Sequence, residues 1–382
     1  MTADWSGHMP KKRISKEKSI KHAKTTTEVI ISLVLLGTCG FFAKSAFTDV
    51  TKVEQSAFYD NKDIASTDST ATTAPDPNQI IFESRSFDTK AKFYGDLILI
   101  NKDHEYFSSG KEDLVSIIDM NEQNERTCFT AVDSTYTILR QVYEPMARMI
   151  QDFYDKTGND TLIIYGSYRT NEFQQQLYEQ DLEATGEDES QSVAPPGFSE
   201  HESGLAFDFS ETVNYDYDGK GDFEWFNDNC YKYGFVIRYT KEKEKITKFK
   251  DEPWHFRYVG LPHAYYMHTH DLCLEEYIDL VRQHPYDGEH LEFSGDTGDY
   301  EVYFYPSDDG AETTSVPVPN GVRYEVSGNN ADGFIVTVYK GQKPIVEEAP
   351  TKTFEEAPEL TSSSEEEEEE TSDSEESPEE NE

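Results

Sequence analysis

The stretch Ser199-Glu200-His201-Glu202-Ser203-Gly204-Leu205-Ala206-Phe207-Asp208-Phe209 sets metal-donor side chains on both sides of a glycine. Leu205 to Phe209 has the pattern of a strand. Alternate side chains of a strand share a face, so Phe207 and Phe209 turn to a core and Asp208 to the opposite side. Gly204 permits a turn that swings His201 beside Asp208. An imidazole and a carboxylate brought together this way suit a borderline metal such as zinc.

A second imidazole comes with Glu252-Pro253-Trp254-His255-Phe256-Arg257-Tyr258. Pro253 opposes a continuous helix, so this is not the helical H-E-x-x-H zinc motif. A proline turn leading into a strand is expected instead, with Glu252 leaning over the site and not ligating. His201, Asp208 and His255 then make two imidazoles and one carboxylate, which leaves a fourth position open for water, as catalytic zinc sites do. In Gly166-Ser167-Tyr168-Arg169-Thr170-Asn171-Glu172-Phe173-Gln174, Arg169 stands at the end of a buried strand, just before a helix. From there a guanidinium points a fixed positive charge into a cleft. Taken singly, each signal is weak, because a lone His or Asp at such a place is more often a hydrogen-bonded structural residue. A rival cluster, His263, His268 and His270, is read as part of a surface helix, because His268 and His270 are two apart and diverge on a helix.

Around these segments the chain reads as a mixture of strands and helices. Leu97 to Ile100 is an apolar run suited to a buried strand. Ile138, Val142, Met146, Met149, Ile150 and Phe153 fall at helical spacing in an amphipathic helix over 135–154, with Pro145 expected to kink or interrupt it. Strands are expected over 161–165 and 235–239, and helices over 171–182, 223–233 and 275–282. Mixed elements with short connections imply an α+β domain near 95–286. Beyond it, 300–305, 323–326 and 334–339 are β-formers between turn residues, a small all-β module over 287–345.

The 382 residues carry Lys+Arg 34 against Asp+Glu 76, a formal net charge of −42, which excludes nucleic acid as a partner. That charge is uneven. Residues 346–382 include the run Glu365 to Glu370 and read as a disordered acidic tail. Residues 1–27 form a basic leader with Lys11, Lys12, Arg13, Lys16, Lys18, Lys21 and Lys24. An apolar segment follows, so 28–47 is expected to be a membrane anchor with its basic flank in the cytoplasm. The uncharged run from Val29 to Ala43 reaches roughly 22 Å against a ~30 Å hydrocarbon core, and extends to Phe47 if Lys44 snorkels. A cleaved signal peptide, with Ala43-Lys44-Ser45 as the processing site, is the alternative, and Leu36-Gly37-Thr38-Cys39 is a weaker lipoprotein-like box. Each version exports the rest, through a polar linker over 48–94. Cys128, Cys230 and Cys273 lack C-x-x-C spacing and are expected to be buried and inert.

Taken together, the S-Y-R-T-x-x-x-Q block from Ser167, P-G-F-S-E-H-x-x-G-x-A-x-D from Pro196, Y-G-F-x-x-R-Y from Tyr233 and E-P-W-H-F-R-Y-V-G from Glu252 resemble the VanY-type D-alanyl-D-alanine carboxypeptidases and their L,D-carboxypeptidase relatives, in family order over about half the chain. The resemblance implies a zinc peptidase domain with a mixed or antiparallel sheet and helices. It implies one Zn²⁺ held by His201, Asp208 and His255, with Glu252 as general base and Arg169 on the substrate and developing oxyanion. Gln174, Ser199 and Tyr239 fall on positions that line the substrate pocket in relatives. The implied reaction removes a terminal D-amino acid from peptidoglycan stem peptides outside the membrane. An L,D-carboxypeptidase, an endopeptidase of the same fold, or a non-catalytic wall-binding protein are the alternatives. The family often has S-G-Y-R where this chain has Gly166-Ser167-Tyr168-Arg169, and residues 185–193 are unusually acidic for it.

Overall fold

The computed structural model describes residues 80–344, apart from 191, 214 and 216. The basic leader, the segment 28–47 and the acidic tail lie outside the described residues. Among the described residues, no helix is long and apolar enough to cross a membrane.

The strands are β1 (Phe82–Asp88), β2 (Leu114–Ser116), β3 (Thr130–Ala131), β4 (Thr137–Leu139), β5 (Leu162–Gly166), β6 (Ala206–Glu211), β7 (Phe235–Tyr239) and β8 (Glu252–Tyr258), followed by β9 (Leu291–Gly295), β10 (Gly298–Pro306), β11 (Thr313–Pro319), β12 (Tyr324–Gly328) and β13 (Gly333–Lys340). The longer helices are α1 (Ile117–Gln123), α2 (Arg140–Thr157), α3 (Asn171–Thr185), α4 (Leu261–Thr269) and α5 (Leu274–Arg282).

A five-stranded sheet in the order β3-β5-β6-β8-β7 organises the α+β part. Its β3–β5 pair is parallel and the others are antiparallel, so the sheet is mixed. One face packs on α2, whose Val142, Met146, Met149, Ile150 and Phe153 are fully buried. Phe207 and Phe256 are cross-strand partners on that face, stacked with centroids 5.5 Å apart. Burying each such side chain contributes roughly 1.5–3 kcal/mol, so the aromatic alternation of β6 and β8 fixes which face is which. Asp208 and His255 are the adjacent pair on the opposite face. Pro253 is tolerated in β8 because the register shifts between Ile237 and Tyr239 of β7, opposite it.

Four sequence expectations are corrected. The helix begins at Arg140, since Thr137–Leu139 instead pairs with β2, and it runs through Pro145 without ending there. Its apolar stripe outweighs the one lost backbone bond. Leu97 to Ile100 is buried but is not a strand of any sheet. Ile98 and Ile100 enter the core under the mixed sheet, while Leu97 and Leu99 enter a second core beside α4 and α5, so both faces of the segment are covered. Its backbone bonds go to loops and side chains: Leu97 N donates to Ser327 Oγ and Leu99 N to Asn329 O. The helix expected over 223–233 is broken into short turns. Asn229, in a non-helical conformation, donates through its side chain to Trp225 O and competes with the helix. Finally β1, inside the stretch read as linker, pairs with β11. Phe82 and Phe87 pack against the β-module core of Tyr303, Val316, Val318, Phe334, Val336 and Val338.

The C-terminal part is a four-stranded antiparallel sheet in the order β12-β13-β10-β9. It shares a core with the helices: Val302, Phe304 and Ile335 pack with Tyr277, Ile278 and Val281 of α5. Buried His263 sits in this seam, its Nδ1 2.7 Å from Tyr277 Oη and its Nε2 3.0 Å from Thr337 Oγ1. His268 stacks on Tyr231 and His270 on Tyr266, so the three imidazoles of the rival cluster serve packing at separate places. Cys128, Cys230 and Cys273 are free and buried, and burial pushes the Cys230 and Cys273 thiols up to about 12.

Candidate metal centre

His201 lies in a 3₁₀ turn, Glu200–Ser203, that is closed by Gly204 at φ +71°. A side chain at Gly204 would be strained by that φ and would also press on Leu139 and Leu114, 3.1 and 3.2 Å from a Cβ. The left-handed residue reverses the chain directly into β6, which brings His201 to within 3.1 Å of Asp208, Nε2 to Oδ2. Across the strand pair, His255 Nδ1 is 2.8 Å from Asp208 Oδ1. Among the described residues, His201, Asp208 and His255 are the one group of three or more donors able to hold a metal ion, with ligand atoms all within 4.8 Å of one another.

The ring nitrogens are assigned by their other partners. Ser167 O accepts from His201 Nδ1 at 2.9 Å, and a carbonyl cannot donate, so Nε2 carries the lone pair toward Asp208. His255 Nε2 faces Glu200 Oε2 at 3.3 Å, which leaves Nδ1 toward the same point. Burial, with Arg169 adding to it, lowers the His201 pKa to about 4, so this ring is neutral and available as a ligand. For His255 burial acts the same way, but Asp208 and Glu200 outweigh it and raise the pKa to about 9. Burial disfavours the Asp208 anion, yet His201 and His255 hold it well below the usual carboxylate range. Two imidazole nitrogens and one carboxylate oxygen, buried and converging, fit a borderline dication such as zinc.

These donors open on a cleft of about 230 Å³, also lined by Arg169, Gln174, Ser199, Tyr239, Glu252 and Trp254. Glu252 belongs to the cleft but not to the donor triad. Burial is the main reason that its pKa rises to about 7, helped by Asp208 and opposed by His255 and Arg169. Arg169 Nη2 donates to Asp208 Oδ2 at 3.3 Å and Nη1 to Gln174 Oε1 at 3.3 Å. Gln174 also donates to Ala194 O, so both ends of its amide are held by protein. Ser199 N donates to Glu202 Oε1 at the start of the 3₁₀ turn. Tyr239 stacks on the His255 ring with centroids 5.1 Å apart and on Phe249 at 4.6 Å. The structure thus brings all eight residues predicted for the site to one cleft.

Sequence reasoning missed Glu200, Arg238 and Arg257. Glu200 Oε1 accepts from Arg238 Nε at 2.8 Å and from Arg257 Nη1 at 2.7 Å, and all three side chains are fully buried. The available signal was an arginine among the aromatic and aliphatic residues of β7 and another between Phe256 and Tyr258 of β8, with a carboxylate next to a candidate ligand.

The sequence model of the VanY family, described as D-alanyl-D-alanine carboxypeptidase, matches residues 136–261. A D-alanyl-D-alanine carboxypeptidase of Enterococcus faecium is 33% identical over 250 residues, covering 65% of this chain and 77% of that protein. The putative carboxypeptidase YodJ of Bacillus subtilis (strain 168) is 38% identical over 153 residues, or 38% of this chain and 56% of its own length. Among solved structures, the vancomycin-resistance D,D-dipeptidase VanXYg in complex with a D-Ala-D-Ala phosphinate analog superposes with a TM-score of 0.58 at 29% identity, covering 68% of this chain and 99% of that one. With the donor triad standing inside the matched segment, the chain belongs to the VanY family of D-alanyl-D-alanine carboxypeptidases, a metallopeptidase family.

Proposed function

We propose that this protein uses zinc to remove the terminal D-alanine from peptidoglycan stem peptides, on the outer side of the cell membrane. The observation that carries the reading is the convergence of His201, Asp208 and His255 in a cleft that the half-buried Glu252 also lines. Zinc bound there would supply the Lewis acidity that makes water nucleophilic near neutral pH. Glu252 accepts the proton from the attacking water and returns it to the leaving amine. Arg169, held by Asp208 and Gln174, presents a guanidinium to the peptide's carboxylate or to the carbonyl oxygen as charge develops. Tyr239 keeps the His255 ring in plane, and Ser199 and Trp254 shape the walls. Export is supported by the basic leader before the apolar segment 28–47.

The decisive experiment incubates the protein with stem pentapeptide ending in D-Ala-D-Ala and weighs the products. One D-alanine should be released per peptide, release should stop with a chelator, and zinc should restore it. Release only from the tetrapeptide would replace the D,D reading with L,D cleavage. No release from either would overturn both.

Two further outcomes are expected. A Cβ on Gly166 would lie 2.1 Å from Asp208 Oδ2 and 2.7 Å from its Cγ, so Gly166→Ala must displace that carboxylate although none of the three donor residues is itself replaced. Zinc affinity, read by competition with a chromogenic chelator, should weaken at least about tenfold. The second concerns pH. His255 is protonated below about 9 in the metal-free site, so zinc binding releases that proton. Each unit of acidification between pH 8 and 6 should therefore lower apparent zinc affinity about tenfold, with proton release measured by calorimetry in two buffers.

A further inference from the structure

We propose that Glu200, clamped by Arg238 and Arg257, is a positioning residue that fixes His255 for metal binding; this rests on the zinc reading above. A single 3₁₀ turn supplies both His201, one donor of the triad, and Glu200, which sits behind another donor. Glu200 Oε2 faces the His255 nitrogen that points away from Asp208, at 3.3 Å. A carboxylate accepts from Nε2–H, so when Nδ1 gives up its proton to take a metal, Glu200 keeps the remaining proton on Nε2 and sets the plane of the ring. Tyr239 restricts the same ring by stacking, but stacking does not distinguish its two nitrogens.

A lone buried carboxylate in that position is costly and free to turn toward any other donor. Its second oxygen is therefore held from two strands. Arg238 of β7 gives Nε to Glu200 and one N–H from each of Nη1 and Nη2 to Glu275 at the start of α5, at 2.9 and 2.7 Å. Arg257 of β8 gives Nη1 to Glu200 and Nη2 to the carbonyls of Asp96 and Ile98, at 3.0 and 2.9 Å. With both guanidinium groups anchored at their far ends, Glu200 cannot follow a metal into the cleft, and its charge is matched where it stands. Glu200, Glu275, Arg238 and Arg257 together carry no net formal charge, so the support holds the imidazole without adding a net charge behind it. Glu200 is thereby kept out of the ligand set, although it lines the same cleft.

The test compares Glu200→Gln with the unaltered protein for zinc affinity by chelator competition, with circular dichroism and thermal melting to establish folding. Stoichiometric zinc binding by the unaltered protein is the first control, and its absence would sink the zinc reading itself. Given that binding, folded Glu200→Gln should bind zinc about 10–100-fold more weakly, and the Co²⁺-loaded protein should show a changed visible spectrum. Unchanged affinity and spectrum in the folded variant would overturn the proposal. If Glu200→Gln does not fold, Arg238→Lys takes its place, because an ammonium cannot reach Glu200 and Glu275 with the same fork. The expected result is a several-fold loss of zinc affinity, and wild-type affinity in folded Arg238→Lys would equally overturn the role.

Discussion

Glu252→Gln should lower D-alanine release by about a thousandfold while zinc content stays at one per chain. The isosteric amide fills the same space in the cleft but cannot take a proton, and general-base removal costs typically 10²–10⁴-fold. The same substitution should raise the melting temperature of the metal-free protein at pH 8. The sign follows from linkage: burial first of all raises the Glu252 pKa from 4.5 to about 7, so the folded state binds its proton more tightly than the unfolded chain does. Its ionised form therefore costs stability above pH 7, and that cost fades as pH falls through 7 and is gone below about 4.5. Removing the charge should gain on the order of 1–3 kcal/mol at pH 8 and little at pH 5. A variant that loses activity and also melts lower at pH 8 would argue that Glu252 is a structural carboxylate. In the zinc-loaded protein the dication favours the carboxylate, so the acid limb of kcat/KM should fall below pH 7.

Arg257→Met should be among the most destabilising single changes in the described part of the chain. It removes one of two cations from buried Glu200 and strips donors from the Asp96 and Ile98 carbonyls. Breaking a buried ion pair from one side costs about 3–5 kcal/mol, because the remaining charge is left uncompensated. For a unit of this size the melting point should drop by on the order of 10 °C. Arg282→Met is the comparison: its partners Asp279 and Asp332 are 71% and 55% exposed, and such pairs contribute about 0–1 kcal/mol. Equal shifts for the two variants, followed by thermal melting, would show that burial of the Glu200 cluster carries no special energetic weight.

Much of the site was legible because its donors lie in short segments whose local chemistry is strict. Gly204 reverses the chain, the Phe207/Phe209 alternation turns Asp208 to one face, and Pro253 prevents a helix before His255. The elements misread share one feature, which is that partners distant in sequence decided them. Leu97 to Ile100 has the composition of a central strand, yet its hydrogen-bond partners are Ser327, Asn329 and Asn330 of the C-terminal part and Arg257. Thr137–Leu139 continues a helical pattern but finds a strand partner in Leu114–Ser116. β1 has weak strand composition and is ordered by pairing with a strand more than two hundred residues away.

The sequence by itself determined the candidate donors, their division into two imidazoles and a carboxylate, and the face of the sheet on which Asp208 stands. Those follow from residue chemistry and from alternation along a strand, both local properties. Only the tertiary structure decided which nitrogen of each imidazole faces Asp208, why Glu200 backs His255, and how the β module shares a core with α4 and α5. Each of these depends on groups that approach across the sheet or from another part of the chain. No periodicity along the sequence encodes such an approach, since burial and hydrogen-bond partnership are set by packing.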